Sequence, residues 1–369
     1  MNLLHITMYH YPVNGGQQVY IEQLNKLLQN RFERIETIQL EVSKIFDYPS
    51  GVTSLKRFPK IFRIFRDSSW VAFLIGLYRK KEYIKSFDIV IVHYSFFYNA
   101  IPNKSKAIFV SHGVEWDGYL NPINYFRYWM ARKVLLSSNY VVANDTNFLK
   151  ILDRSELGKN DTSNKNKFYI PNSVDIQRYS KYGESITFNQ EYILVPRNIR
   201  KDRGITLAIS ILHELKNRGI RLKLIVAGGP LKGLYYFKCK MLIEKYKLNE
   251  DVVFLGSISQ EMLIKYYRGS KLTLIPTLAM EGTSLSALEA MSCGSPTFST
   301  NVGGLLDLPT EKISTVAQDA AESISRKWLD LDRISEIQRL KVSKHFNNNK
   351  WNQTWLNVIN QKMETRGDG

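Results

Sequence analysis

The sequence has little of what several classes of protein require. Only two cysteines, Cys239 and Cys293, occur in 369 residues, and neither has Cys or His partners at metal-ligand spacing, so a disulfide framework and a zinc site are not expected. The longest apolar run, residues 70–78, is about half of the ~20 residues that a membrane-spanning helix needs. Residues 1–16 lack the basic start and the cleavage site of a signal peptide. These absences together indicate a cytoplasmic protein without a membrane-spanning helix.

Positive charge, in contrast, is abundant. The 51 Lys and Arg residues exceed the 34 Asp and Glu residues and give a net charge of +17, which favours polyanionic partners such as nucleic acid, anionic lipid or phosphorylated substrates. Residues 56–66, KRFPKIFRIFR, predict a basic amphipathic helix. Aromatic side chains beside cations suit the headgroup layer of an anionic membrane, although an ordinary helix that packs its phenylalanines into the core explains the same pattern. We expect membrane or acceptor contact through the basic residues of this segment: Lys56, Arg57, Lys60, Arg63 and Arg66.

Apolar, β-prone runs alternate with amphipathic helical segments along the whole chain. This alternation predicts an α/β fold in which helices cover both faces of parallel sheets. An irregular polar stretch near residue 180 separates two such series, and each series is long enough to bury a core of its own. We therefore predict two Rossmann-like, doubly wound domains, residues 1–180 and 181–346.

The most informative segment is residues 281–304, EGTSLSALEAMSCGSPTFSTNVGG. It predicts a loop and a helix after an apolar strand, with turn-forming residues at 282–284. Glu281 and Glu289 then lie roughly 12 Å apart along the helix axis, which leaves room for a diphosphate. Carboxylates accept hydrogen bonds from hydroxyls, whereas the N–H groups at a helix start bind phosphate. Taken alone, two glutamates at this spacing are more often a turn residue and a solvated helix residue.

The order EG, LEAM, CGSP and NVGG within this segment resembles, without gaps, the signature of glycosyltransferase family 4, a retaining family with the GT-B fold. The resemblance implies that Glu281 lies beside the donor sugar and that Glu289 binds the ribose. It also implies that the backbone after Glu281 holds sugar and phosphate, through Gly282, Thr283, Ser284 and Leu285.

The resemblance further implies an active site in the cleft between two Rossmann-like domains. The first domain would bind the acceptor and the second the nucleotide sugar. A final helix, at about 347–369, would cross back to the first domain. The segment IPNSVD is similar to the interdomain turn of the family, so Asn172 and Asp175 are interpreted as hinge residues.

Polar residues at predicted strand ends of the first domain are further candidates, because ligands bind at that edge of an open α/β sheet. Gly15 and Gly16 would let the backbone approach phosphate, although a tight turn alone explains such a pair. The pair resembles the N-terminal glycine loop of the family, and Gly16 is the better candidate. His112 resembles the family's histidine near the reacting carbon, where a buried core histidine is the alternative, and His93 is a weaker candidate.

The loop RNIRKDRG, residues 197–204, places several cations just past a strand end, where a diphosphate needs its charge opposed. A charged loop is usually just solvated. The family, however, has an arginine and, a few residues later, a lysine before glycine, both on the diphosphate. Arg197 fits the first role and Arg203 the second, with Lys201 as a rival for the second.

These features predict a retaining glycosyltransferase that moves a hexosyl unit from a nucleoside diphosphate sugar, such as a UDP sugar, to a glycan or lipid-linked acceptor. By family analogy the setting is bacterial surface polysaccharide or lipopolysaccharide assembly, at the inner face of the cell membrane. The candidate catalytic residues are His112, Glu281, Arg197 and Arg203.

No cofactor and no metal are expected. The D-x-D pair formed by Asp330 and Asp332 lies in helical sequence, whereas a metal-binding pair of this type follows a strand. Two alternatives stay open. A sugar-nucleotide epimerase or hydrolase of the same fold would process the donor without an acceptor. A non-catalytic polyanion-binding protein fits the net charge, but the sequence carries no recognisable nucleic-acid motif.

Overall fold

The structure is a computed structural model that describes residues 1–13, 15–43, 46–57, 68–113, 122–149, 166–279 and 281–365. The chain divides into two compact units, one formed by Met1–Ile170 with Trp355–Gly369 and the other by Pro171–Thr354. Each unit is built around one parallel sheet.

The first unit has a seven-stranded sheet in the order β3-β2-β1-β4-β5-β6-β7. Its strands are β1 (Asn2–Ile6), β2 (Arg34–Leu40), β3 (Val52–Leu55), β4 (Ile89–Val92), β5 (Ala107–Ser111), β6 (Tyr140–Ala143) and β7 (Asn166–Tyr169). Its helices are α1 (Gly16–Leu28), α2 (Ser68–Arg79), α3 (Lys81–Lys85), α4 (Ser95–Tyr98) and α5 (Pro122–Ser137). All pairings are parallel; Leu4 of β1, for example, pairs with Glu36 on one side and Val90 on the other.

The second unit has a six-stranded parallel sheet in the order β10-β9-β8-β11-β12-β13. Its strands are β8 (Tyr192–Val195), β9 (Lys223–Ala227), β10 (Val252–Gly256), β11 (Leu272–Ile275), β12 (Thr297–Thr300) and β13 (Glu311–Ile313). Its helices are α6 (Ile205–Asn217), α7 (Leu234–Lys245), α8 (Gln260–Gly269), α9 (Leu285–Ser292), α10 (Ala317–Arg326) and α11 (Leu331–His345). The last helix, α12 (Asn348–Glu364), begins in this unit and ends in the first.

Both faces of each sheet are buried, which explains why the strands are nearly continuous apolar runs. Along β8, Ile193 and Val195 enter one apolar cluster, whereas Tyr192 and Leu194 enter a second cluster. Since successive side chains of a strand point to opposite faces, the two clusters lie on opposite sides of the sheet. The predicted architecture of two doubly wound parallel-sheet domains is confirmed.

In each sheet the strand order reverses at one point, between β1 and β4 in the first unit and between β8 and β11 in the second. In open α/β sheets, ligands bind outside the carboxyl ends of the strands at such a switch point. The loops that leave these four strands hold Gly15, Arg197, Arg203 and Glu281 among the candidate residues, whereas His112 follows β5.

The predicted basic amphipathic helix falls largely on residues outside the described part of the chain, and so do Lys60, Arg63 and Arg66. Lys56 is exposed, and Arg57 is half-buried with its Nε donating to the carbonyl oxygen of Glu41 at 2.6 Å. Among the described residues, we find no helix that combines the length and the apolar character needed to span a bilayer.

The D-x-D pair has the helical setting that the sequence predicts. Asp330 ends a short 3-10 turn, and Asp332 lies in the first turn of α11. Within the described ranges, His, Cys, Asp and Glu side chains do not gather into any group that could hold a metal ion.

Candidate functional site

A cluster of three charged side chains lies at the switch point of the second sheet. Arg197 follows β8, and Glu281 follows β11. Nη2 of Arg197 lies 3.3 Å from Oε1 of Glu281, and Nη1 of Arg203 donates to Oε2 of the same carboxylate. The side chains of Arg197 and Glu281 are only 8% and 9% exposed. Asp202 pairs with both Arg203 and Arg200, at 3.4 and 3.0 Å. Counted with this pair, three guanidinium groups face two carboxylates, which leaves an excess of one positive charge.

The electrostatics of Arg197 follow from its burial. Removal from water lowers the pKa of the guanidinium, and the neighbouring Glu281 carboxylate opposes that change. A buried cation without enough opposing charge is costly, so an anionic ligand is the natural completion of this cluster. The guanidinium is also a planar fork that suits two phosphate oxygens at once.

The start of α9 adjoins the same guanidinium. Ser284 is the N-cap residue, yet among the described contacts its side chain does not cap the helix. Its hydroxyl instead accepts a hydrogen bond of 2.8 Å from Nη2 of Arg197. The first N–H groups of α9 therefore have no side-chain cap within the described residues, and they carry the positive end of the helix dipole. Phosphate binding by these N–H groups stays a prediction.

The loop before α9 is held by a contact that the sequence does not indicate. The hydroxyl of Thr283 accepts a hydrogen bond of 2.7 Å from the backbone N–H of Asn172, and the Asn172 amide donates back to the carbonyl oxygen of Thr283. Both residues are buried. Asn172, which the sequence suggests only as a hinge residue, therefore fixes the backbone of this loop. No local pattern could reveal a contact across 111 positions.

The two glycines that close the 281–304 segment are required by close backbone packing. The N–H of Gly304 donates to the carbonyl oxygen of Glu281 at 2.7 Å. A Cβ on Gly304 would lie 2.3 Å from the carbonyl carbon of Gly282, and a Cβ on Gly303 would lie 2.1 Å from the oxygen of Glu281. The NVGG sequence thus lets one loop support the other.

Glu289 is not a solvated helix residue. It is half-buried on α9, and its Oε2 accepts a hydrogen bond of 3.1 Å from the hydroxyl of the fully buried Tyr267. Burial raises the pKa of the Glu289 carboxyl, and hydrogen bonds from Tyr267 and Tyr179 oppose that rise. The role of Glu289 as a ribose contact stays a prediction.

The two rivals for the second cationic position differ in their surroundings. Lys201 and Arg203 lie in one short 3-10 turn before α6. The side chain of Lys201 is exposed, whereas that of Arg203 reaches Glu281. The turn ends at Gly204, which has a left-handed backbone with φ of 69°. The geometry therefore brings Arg197, Glu281, Ser284 and Arg203 together and leaves Lys201 at the surface.

In the first unit, Gly15 and Gly16 lie where β1 leads into α1. Gly16 is the first residue of α1, and Gly15 is its N-cap, with φ of −150° that any residue adopts. The nearest atoms that a Cβ on Gly15 would meet all belong to the flexible side chain of Gln18. The turn therefore does not require a glycine at position 15, and close approach by a ligand stays a prediction.

His112 follows β5 and ends a row of three imidazoles. Its Nε2 lies 2.8 Å from Nδ1 of His93, and Nε2 of His93 lies 3.0 Å from Nδ1 of His5. Burial lowers the pKa of both His5 and His112 to about 3, and it holds that of His93 well below its usual range. All three rings are therefore neutral near pH 7. The sequence predicts His112 and His93 as candidates but misses His5, because a polar residue inside an apolar strand shows burial without showing its partner.

Comparison with known proteins agrees with this geometry. Residues 183–344 match the family model described as glycosyl transferases group 1. Lipopolysaccharide 1,2-N-acetylglucosaminetransferase of Salmonella typhimurium is 22% identical over 156 residues, which are 39% of this chain and 41% of that protein. The chain spans less than half the length of the first curated relatives it matches. The prediction of a glycosyltransferase is thus confirmed for residues 183–344 at the level of group 1.

Solved structures extend the likeness to the whole chain. Sucrose-phosphate synthase from Thermosynechococcus elongatus aligns over 99% of both chains with a TM-score of 0.81 at 16% identity. Anabaena HepE in complex with UDP-glucose aligns over 100% of both chains with a TM-score of 0.72 at 15% identity. At such identities the likeness concerns the fold, and it confirms the predicted GT-B fold.

Proposed function

We propose that this protein is a retaining glycosyltransferase of family 4 that transfers a hexosyl unit from a nucleoside diphosphate sugar to a hydroxyl of a glycan or lipid-linked acceptor. The observation that carries the proposal is the cluster of Arg197, Arg203 and Glu281 beside the uncapped start of α9. Two guanidinium groups and helix N–H groups at one strand edge suit a diphosphate better than any other common metabolite group. HepE, which shares the fold, has been crystallised with UDP-glucose.

Catalysis would rest on stabilising the leaving diphosphate. As the bond between the sugar C1 and the phosphate oxygen breaks, negative charge grows on that oxygen, and Arg197, Arg203 and the first amides of α9 oppose it. The acceptor oxygen forms its bond on the same face of the sugar, and its proton passes to the departing phosphate. Both oxygens of Glu281 are engaged by guanidinium groups, so Glu281 serves better as a donor-sugar contact than as a general base.

The two units would divide the work. The second unit holds the donor through the charged cluster, and Glu289 takes the ribose hydroxyls. The first unit receives the acceptor and supplies the glycine loop and His112. The curated relative from Salmonella typhimurium, named a lipopolysaccharide N-acetylglucosaminetransferase, supports a role in bacterial surface polysaccharide or lipopolysaccharide assembly.

A panel of the common nucleoside diphosphate sugars tests this function. We expect at least one of them to raise the temperature of thermal unfolding, because a ligand that binds only the folded state stabilises it by mass action. The stabilising donor is then incubated alone and with candidate acceptors. Sugar product formed from the donor alone would favour an epimerase or hydrolase, and a panel without any stabilising member would contradict the proposal.

Glu289 predicts a pH dependence of donor binding. An ionised carboxylate accepts a hydrogen bond from each hydroxyl of a ribose diol, whereas a protonated carboxyl group turns one of its two oxygens into a donor. Because burial raises the pKa of Glu289, we expect donor affinity to fall as the pH drops, beginning at a higher pH than an ordinary glutamate would give. In Glu289→Gln the affinity should be lower by about tenfold near pH 8 and nearly independent of pH. Titration of a nucleotide sugar by calorimetry at several pH values measures both effects, and an unchanged pH profile in Glu289→Gln would exclude this carboxylate.

We further propose that the first unit contacts the inner face of the cell membrane and that this face is anionic. Val71, Ile75 and Tyr78 are exposed along one face of α2, at helical spacing. On α5, Phe126 and Trp129 are likewise exposed.

The charges around these aromatic side chains favour an anionic membrane. Arg127 of α5 lies 5.5 Å from the ring of Trp70 on α2, so the two helices adjoin. Nζ of Lys133 lies 5.6 Å from the Trp129 ring. Exposed aromatic rings with cations beside them match the boundary between headgroups and acyl chains of an anionic bilayer. The mainly basic 56–66 segment precedes α2 directly in the chain and adds charge of the same sign.

Removing the exposed aromatics of α5 should weaken this membrane contact. In a Phe126→Ser, Trp129→Ser double variant, binding to vesicles that contain phosphatidylglycerol should fall by about tenfold or more, since each ring loses its burial in lipid. Vesicle sedimentation measures the effect. Phe237→Ser is the matched control, because Phe237 is exposed on α7 in the second unit. Equal binding of the double variant and the parent would contradict membrane contact through α5.

A further inference from the structure

The row of three imidazoles that ends at His112 is an ordered chain of hydrogen bonds inside the first unit. His5 and His93 are 0% and 1% exposed. Successive rings are stacked, with centroids 5.2 Å apart for His5 and His93 and 5.1 Å apart for His93 and His112. Two ring nitrogens face each other at each junction, so one nitrogen of each pair must carry a proton and the other must not. The protonation of one ring therefore dictates that of the next.

Counting protons leaves only two arrangements. Three neutral imidazoles carry three N–H groups, and the two junctions use two of them. The third proton lies at one end of the row, either on Nε2 of His5 or on Nδ1 of His112. Which end holds it decides whether Nδ1 of His112 donates or accepts a hydrogen bond.

The surroundings of His5, at the buried end of the row, indicate where the third proton lies. Nε2 of His5 is buried, as is Oδ1 of Asn25, and neither atom has a hydrogen-bond partner among the described residues. The side chain of Asn25 interacts with His5 and works to raise the pKa of that ring. Asn25 lies on α1, and its amide oxygen can only accept. A proton on Nε2 of His5, donated to this oxygen, would satisfy both atoms, whereas an unprotonated nitrogen would leave both without a partner.

We propose that Asn25, His5 and His93 are positioning residues that fix the tautomer of His112, with its proton on Nε2 and with Nδ1 as a hydrogen-bond acceptor. Nε2 of His5 donates to Asn25, Nε2 of His93 donates to Nδ1 of His5, and Nε2 of His112 donates to Nδ1 of His93. His112 is only partly buried, and no described residue bonds its Nδ1. The open lone pair would receive a hydroxyl group, the most abundant donor on a sugar.

This inference rests on the proposed function only in naming a sugar hydroxyl as the ligand. The tautomer itself is a property of the free protein. The tautomer sets the direction of the hydrogen bond to that hydroxyl, because an N–H at the same place would donate to the hydroxyl oxygen and leave its proton free. Burial keeps all three rings neutral, so the row does not supply a charge. Its effect is to fix the direction of the hydrogen bond at Nδ1 of His112.

Nitrogen NMR of the full, uniformly labelled chain tests the tautomer without any substrate. Long-range proton–nitrogen spectra distinguish a bare ring nitrogen from a protonated one, and single substitutions assign the histidines. In the parent we expect a bare Nδ1 on His112. In Asn25→Leu, which has a similar shape and no acceptor, a proton on Nε2 of His5 would be buried without a partner, so the row should reverse and protonate Nδ1 of His112. Asn25→Asp, which keeps the acceptor, should retain the parent pattern.

The spectra of the parent and of Asn25→Leu decide whether Asn25 fixes the tautomer of His112. A protonated Nδ1 of His112 in the parent, or a tautomer that is the same in Asn25→Leu as in the parent, would overturn the inference. Should Asn25→Leu fail to fold, His5→Leu serves as the second variant. It removes the acceptor for the proton on Nε2 of His93, so the two remaining rings should reverse in the same way. Gln29→Leu, an exposed change at the end of α1, controls for effects on the helix.

Once a donor is known, transfer gives a second measurement. Asn25→Leu should lower kcat/KM by about tenfold, the worth of one inverted hydrogen bond, while Asn25→Asp stays close to the parent. If Asn25→Leu reverses the tautomer but keeps the kcat/KM of the parent, His112 does not bind a sugar hydroxyl. The proposed function would then still stand. A chain that binds no nucleotide sugar, yet shows the reversal, would contradict the function and leave the imidazole row standing.

Discussion

Replacing Arg197 with alanine should weaken binding of the nucleoside diphosphate sugar by roughly 10- to 100-fold, the typical worth of a charge-assisted hydrogen bond. The guanidinium is buried, and it touches both the Glu281 carboxylate and the Ser284 hydroxyl. Its removal takes away a fork for phosphate oxygens. It also leaves Glu281 balanced only by Arg203, so a cluster with an excess positive charge becomes neutral and no longer attracts an anion.

Arg200→Ala is the matched control for this loss. Arg200 lies three residues from Arg197, is 57% exposed, and bonds Asp202. Calorimetric titration of the same donor should give an affinity close to that of the parent. If both variants lose affinity equally, the effect is one of overall charge, and the site assignment is wrong. Arg197→Lys keeps the charge without the planar fork, so it should fall between the parent and Arg197→Ala.

How far the sequence predicts this structure depends on the range of the contacts involved. Local periodicity predicts the strands and helices of both units, because burial on both faces of a parallel sheet forces apolar strands between amphipathic helices. The segment from Glu281 to Gly304 is likewise local: the turn, the helix start and the glycines that pack against the turn all fall within it. Its meaning as a site could therefore be predicted from residue order.

The parts that sequence could not predict are long-range. The sequence favours Arg203 and keeps Lys201 as a rival, and only the folded turn shows that Arg203 bonds Glu281 while Lys201 is exposed. Asn172 fixes Thr283 from a distant part of the chain. His5 is a polar residue in a buried strand, and its partner is 88 positions away. In each case the decisive quantity is which side chains meet, and no local pattern specifies it.

The largest loss of stability is expected for Gly204→Ala. A left-handed backbone costs a residue with a Cβ about 1 kcal/mol, and a Cβ on Gly204 would lie 1.8 Å from the carbonyl oxygen of Pro276. The loop after β11 or the turn before α6 must move to make room, which adds roughly 1–3 kcal/mol. The free energy of unfolding should therefore fall by about 2–4 kcal/mol.

Gly219→Ala separates the two costs. Gly219 also has a positive φ, of 84°, but a Cβ there would meet nothing within 4 Å. This control should lose only about 1 kcal/mol. Denaturant unfolding of both variants measures the difference, and equal losses would mean that the turn accommodates the methyl group without moving.

The same substitution also tests why a glycine follows Arg203. The N–H of Leu278 donates to the carbonyl oxygen of Asp202 at 2.8 Å, so the turn before α6 is tied to the loop that leads to Glu281. A methyl group between these two loops should displace Arg203 from Glu281 while Arg203 remains in the chain. Donor affinity of folded Gly204→Ala at low temperature should then resemble that of Arg203→Ala, about tenfold below the parent. Affinity of Arg203→Ala equal to the parent's would show that the diphosphate does not use Arg203, and Lys201 would then be the candidate for this role.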